Sequence, residues 1–163
     1  MNSVSIALLM LTLCAGIAHA EEQERGLTTR NVYVTAQLPS IEFAISASAA
    51  TPVSPYTLVG ITTYAGGFPM AGGGTNTALF SRSFLFNGSF FGEARVGYMK
   101  TTWGHPNLKS ASGASYGFEI GNHWFHESGF HQGVSWFGID RYMTNSHNAG
   151  LIHLPRYELG FSF

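Results

Sequence analysis

Charge is scarce in this 163-residue chain. Asp, Glu, Lys and Arg make up 10% of it, against about 25% in soluble domains. A surface in contact with water needs more charge than that. The eight basic and nine acidic residues nearly cancel. Neither a basic patch nor an acidic tail stands out, so the chain shows no nucleic-acid partner. The only thiol is Cys14, which leaves no intrachain disulfide. Long apolar runs are also missing. No segment reaches about 18 consecutive apolar residues, which excludes a helical membrane span. Ala71-Gly72-Gly73-Gly74 lacks the Lys-Ser/Thr of a phosphate loop and reads as loop flexibility. There is no internal repeat beyond a period of two.

What the chain has instead is aromatic residues and glycine. Aromatics are 14% of it, with 13 Phe, and there are 20 Gly. The N-terminus carries an apolar stretch from Ile6 to Leu13 and an Ala18-His19-Ala20 cleavage signature. Residues 1–20 therefore read as a signal peptide, too short to span a bilayer. Residues 21–29 read as a polar periplasmic lead-in, and 30–163 as one domain. The last seven residues set the theme. Tyr157, Leu159, Phe161 and Phe163 alternate with Glu158, Gly160 and Ser162, so one face is apolar and the other small or polar.

The same alternation predicts eight strands, over 30–38, 41–49, 56–64, 77–86, 89–102, 113–125, 132–143 and 156–163. Pro39-Ser40, the 51–55 segment with its two prolines, Asn87-Gly88 and 126–131 read as turns. Segments 65–76, 104–112 and 144–155 read as loops. The faces of the fourth strand stay ambiguous, because Arg82 shares a parity with Phe80, Phe84 and Phe86. In the seventh, Asp140 and Arg141 fall on opposite faces, so a bulge or strand end is expected nearby. Lipid leaves no partner for an open sheet edge. The expected fold is therefore all-β: a closed antiparallel eight-stranded transmembrane β-barrel. Both termini and the short turns lie on one side, and the longer loops on the other.

Phe91-Gly92-Glu93-Ala94-Arg95-Val96-Gly97-Tyr98, Tyr116-Gly117-Phe118-Glu119-Ile120-Gly121 and the terminal 157–163 carry a resemblance. The chain resembles the small eight-stranded outer-membrane barrels, the group of the OmpA membrane domain and the opacity proteins. That resemblance implies a bacterial outer-membrane location. It also implies contact with outer-membrane lipids and lipopolysaccharide, and reading of the Phe163-terminated strand by the outer-membrane assembly machinery. An external partner is left open.

Chemistry has three candidate locations. Glu42, Glu93, Arg95, Glu119 and Glu158 take the parity opposite the apolar face. They would meet inside a barrel barely wide enough for side chains, with Arg82 or Arg141 as further counter-ions. A plugged salt-bridge network and an ion pathway are the two readings. The second location is 144–151, which resembles part of the PagL-type lipid A 3-O-deacylases through Asn148-Ala149-Gly150-Leu151. That resemblance implies an esterase using Ser146, His147 and Glu158. Aligned on Asn148, however, the family's serine falls on His147 and its histidine on Asn145. Adjacent Ser146 and His147 would point to opposite faces of a strand. The third is His123, His126 and His131 with Glu127, which lacks the further ligands a metal site needs; with Trp124 and Phe125 it reads as an interfacial aromatic belt. No cofactor is indicated. The function expected is a structural or surface-interaction barrel, with the deacylase and a small pore as alternatives.

Overall fold

The computed structural model describes residues 30–38, 45–68, 72–85, 88–103, 112–144, 148–153 and 155–163. The expected signal peptide and lead-in lie outside these residues, as do Glu42, Ser146 and His147.

All regular structure among the described residues is strand: β1 (Tyr33–Leu38), β2 (Ile45–Ser54), β3 (Thr57–Phe68), β4 (Gly72–Phe84), β5 (Phe90–Trp103), β6 (Ser112–Phe125), β7 (Phe130–Thr144), β8 (Asn148–His153) and β9 (Arg156–Ser162). Each pairs antiparallel with its sequence neighbours from β1 to β7. β9 pairs β1 on one side and β7 on the other, which closes the sheet. β8 continues along the same edge of β7, pairing Gly138 to Met143, while β9 pairs Phe130 to Ser135. β8 and β9 are thus two halves of one stave, interrupted where Pro155 removes a ladder donor. The result is a closed eight-stranded antiparallel barrel, in which β9 has a partner on each side.

Several boundaries differ from the sequence expectation. Within the segment 65–76, expected as a loop, residues 65–68 and 72–76 are strand. β3 and β4 stay paired through Tyr64↔Asn76, Gly66↔Gly74 and Phe68↔Gly72. A hairpin that is already in register carries weak β-formers along with it, since strand propensity is set by neighbours more than by the residue. Likewise 148–153, expected as loop, is strand. Pro52 sits inside β2, not in a turn. It lies two residues past Ala50, the last partner of β1, and beside a register shift between Pro52 and Ser54. Irregular strand ends of this kind tolerate a missing N–H. The connection at Pro39-Ser40 lies outside the described residues, and β2 starts at Ile45.

One bulge sets the geometry of the last hairpins. Ile120 pairs Phe137 but Gly121 pairs Ser135, so Trp136 is the extra residue. Before it, His131, Gly133 and Ser135 face inward; after it, Gly138 and Asp140 do. That change of parity explains why Asp140 is buried while Arg141 is exposed.

The two faces of the wall differ sharply. Outward lie Val34, Ile61, Leu79, Val96, Phe118 and Phe161, all substantially exposed. Inward, at the end where β1 begins and β9 finishes, Tyr33, Leu58, Phe84, Phe91 and Phe125 form a buried cluster. Each is the first, second or last residue of its strand, so together they stopper that end. Phe125 meets Tyr33 and Phe84 edge-to-face, at 5.4 Å each, a favoured aromatic arrangement. This settles β4: Phe80, Arg82 and Phe84 all point inward, and Leu79 and Ser81 outward. Inward glycines make room for these groups. A Cβ on Gly121 would sit 2.9 Å from the Phe91 ring, and one on Gly133 would sit 2.9 Å from His123 Nδ1.

Candidate functional site: a charged network in the barrel lumen

Two residues further into the barrel than the aromatic stopper, the inward positions turn from aromatic to charged. Arg82 precedes Phe84 on β4, Glu93 follows Phe91 on β5, and His123 precedes Phe125 on β6. Strand period places each pair on one face.

Arg82 is the hub. Its Nε donates to Glu93 Oε2 at 2.7 Å. Its Nη1 and Nη2 donate to Glu158 Oε2 and Oε1 at 2.7 and 3.0 Å. This is the bidentate fork that a guanidinium makes with a carboxylate. The guanidinium carbon also lies 3.9 Å from the centre of the Phe91 ring, a cation–π contact. Glu158 receives a further bond from Gln37 Nε2 at 2.6 Å, and Ser46 Oγ donates to Gln37 Oε1 at 2.6 Å. His123 Nδ1 lies 3.1 Å from Glu158 Oε2, and its Nε2 lies 2.9 Å from His131 Nδ1.

A second centre forms around Glu119. Arg156 Nη2 donates to its Oε2 at 2.6 Å. Arg95 Nη2 approaches the same oxygen at 2.8 Å, off the hydrogen-bond direction. Arg95 Nε lies 3.5 Å from Asp140 Oδ1, and its Nη1 lies 3.7 Å from Glu93 Oε1. Arg95 therefore ties the two centres together through Glu93.

The balance is three guanidiniums (Arg82, Arg95, Arg156) against four carboxylates (Glu93, Glu119, Asp140, Glu158). Glu119 and Glu158 are 0% exposed. Ions taken this far out of water cost several kcal/mol each unless they are paired and hydrogen-bonded. Here each carboxylate has at least one guanidinium within 4 Å.

Of the residues expected inside from sequence, the structure brings together Glu93, Arg95, Glu119 and Glu158, with Arg82 joining them. Arg141 is exposed on the wall and joins nothing here. Asp140, Arg156, His123 and His131 are network members that sequence reasoning did not place. Arg156 and Glu158 share a parity, which was the available signal for the first. Asp140 was hidden by the bulge at Trp136. His123 and His131 do not belong to an interfacial belt: both are 1% exposed and lie in the lumen. Phe125 is likewise a lumen residue. No group of three or more metal-type ligands is found among the described residues. Glu158 contacts Arg82, Gln37 and His123 with both its oxygens; Ser146 and His147, with which it was expected to act, lie outside the described residues.

Fold and site together define the class: a closed eight-stranded antiparallel barrel with an apolar outer wall and a buried ionic lumen. No family model, curated protein or solved structure matches the chain.

Proposed function

We propose that this protein is a small outer-membrane β-barrel with a structural or surface-interaction role, its lumen closed by paired charged side chains. The observation that carries this is the inversion of the two faces. Large apolar residues such as Leu79, Val96 and Phe163 are 64%, 62% and 71% exposed, while the carboxylates are buried. Water as the surrounding solvent favours the opposite arrangement; hydrocarbon favours this one. The dimensions agree. β5 and β6 have 14 residues each. At about 3.3 Å per residue and about 40° tilt they reach roughly 35 Å, enough for the ~25 Å apolar band of outer-membrane barrels. The resemblance of 91–98, 116–121 and 157–163 to the OmpA and opacity group points the same way.

A closed lumen is supported by the aromatic stopper and by the network above it. The cavity beside Arg82 amounts to about 10 Å³, the order of one water molecule. The contacts a barrel of this kind can make with other molecules then fall to its outer wall and to the connections at the open end.

The test is threefold on one preparation. Protein refolded into detergent should migrate differently on a gel before and after boiling, and show a strand-rich circular dichroism spectrum. In planar bilayers it should give no discrete conductance; reproducible single-channel steps would sink the closed-lumen reading. Lipid A from cells expressing it should keep its acyl chains. Loss of one 3-O-linked chain, abolished by Ser146→Ala, would replace the structural reading with the deacylase one.

A further inference from the structure

We infer that Lys100 and Arg141 form a binding site for the headgroup of an anionic phospholipid, on the outer wall near the end opposite the aromatic stopper. This rests on the membrane reading above and adds a ligand to it. The starting point is where the strands place their charges. Glu93, Glu119, Asp140 and Glu158 lie in the lumen network, with Arg82, Arg95 and Arg156. Lys100 on β5 and Arg141 on β7 are the only exposed charged residues of the described strands, and both are basic. Neither has an acidic neighbour along its register row. The row through Lys100 contains Ile45, Ala65, Thr75 and Ser112. The row through Arg141 contains Leu79, Val96, Tyr116 and Gly150. Neither cation forms an ion pair among the described residues.

Their height on the wall fits that role. Lys100 is about ten residues beyond Phe90, where β5 begins, and Arg141 about ten beyond Phe130, where β7 begins, with the extra residue Trp136 set aside. At about 3.3 Å per residue and about 40° tilt this is roughly 25 Å, the height of the apolar band of an outer-membrane barrel. Both cations therefore fall at the far edge of that band. Tyr98 stands one outward position before Lys100, and Tyr116 is the register partner of Arg141. Both tyrosines are exposed, as suits side chains at headgroup level. A cation at this level with no counter-ion in the protein is matched by lipid phosphate. β6 lies between the two cations, so strand spacing and rise put their Cα atoms on the order of 16 Å apart. Two extended side chains can close on one phosphate across that gap. Arg141 brings a fork of donors to it and Lys100 a point charge.

Native mass spectrometry of the intact refolded protein in detergent tests this. The probe is dioleoyl phosphatidic acid, and dioleoylglycerol, which lacks the phosphate, is its match. Phosphatidic acid should bind as a one-to-one adduct and dioleoylglycerol should not. Lys100→Gln and Arg141→Gln should each weaken binding about fivefold, and together about 25-fold. Lys100→Arg should retain it. Equal binding of the two lipids, or wild-type affinity in the double variant, would overturn the site. Inorganic phosphate that displaces the lipid at equal concentration would assign the pair to a soluble anion and overturn the headgroup site as well. The gel shift on boiling, run on the same samples, separates this inference from the reading beneath it. A shifted barrel that ignores phosphatidic acid removes the lipid site alone; a wild-type protein with no shift removes the membrane reading and the site with it. Should the double variant not refold, the comparison of the two lipids on wild-type protein still decides.

Discussion

Replacing Arg82 by Met is the perturbation that reports most directly on the lumen. The side chain keeps its approximate length and loses its charge. The hydrogen bonds to Glu93 and Glu158 go with it, together with the 2.8 Å contact of Nη1 with His123 Nδ1 and the contact on Phe91. Removing one partner of a buried ion pair costs about 3–5 kcal/mol, because the other charge is left without compensation. Here two carboxylates lose their principal counter-ion. Glu93 retains only Arg95 at 3.7 Å, and Glu158 retains His123 and Gln37. The expected loss is therefore at the upper end, about 5 kcal/mol, a large part of the ~5–15 kcal/mol that holds a typical domain. Arg82→Lys keeps the charge but not the fork, and should cost about 1–3 kcal/mol. Arg82→Met combined with Glu93→Gln and Glu158→Gln should recover much of the loss, since the stranded charges go too. The assay is urea unfolding in lipid vesicles followed by tryptophan emission, with the unheated gel shift as an independent readout. Arg141→Met, on the exposed side of β7, serves as control and, in vesicles without anionic lipid, should stay within about 0.5 kcal/mol of wild type. If Arg82→Met unfolds within 1 kcal/mol of wild type, the buried-pair reasoning fails, and water must be solvating these carboxylates.

Gly160→Ala places a methyl group against the His131 ring and the Val34 carbonyl. Overpacking of this kind costs about 1–3 kcal/mol and should appear as a reduced refolded fraction; unchanged stability would mean that His131 is not held against β9. Phe118→Arg, midway along the outward face of β6, should destabilise the protein in vesicles by about 2–4 kcal/mol, the cost of an arginine at the midplane. An equal midpoint for Phe118→Arg and wild type would argue against lipid contact there. Ser135→Ala serves as a contrast inside the lumen. Its hydroxyl is buried without a partner, so removal should be neutral or slightly stabilising, and a loss above 1 kcal/mol would reveal a partner for it.

How much of this was legible in the sequence depended on whether one strand alone held the answer. The terminal stave was readable because Tyr157, Leu159 and Phe161 alternate with Glu158 and Gly160 without interruption, so parity alone sends Glu158 inward. β5 was equally clear, with Glu93 and Arg95 opposite Ala94, Val96 and Tyr98. β4 was not, because the lumen near the turns is lined by aromatics and Arg82 stands among them on the buried face. The sequence rule that apolar means outward fails at the stopper, where inward aromatic side chains bury one another. The 72–74 glycines looked like a loop since nothing local favours a strand; pairing with β3 supplies what the residues lack. Pro155 hid β8 by breaking its stave in two.

Composition and period by themselves determined that this chain builds a closed sheet with one apolar and one polar face. Both follow from the two-residue repeat of a strand and from the scarcity of charge. Which charges meet is another matter. Arg82 and Glu158 stand 76 residues apart, and Arg156 reaches Glu119 over 37. Those pairings depend on barrel closure between β1 and β9, on the register of every hairpin, and on the one extra residue at Trp136 that turns Asp140 inward. A shift of one residue in any register would send a charge to the outer wall. Parity is a local property that the chain carries along its length. The identity of each partner across the lumen exists only once the barrel has closed.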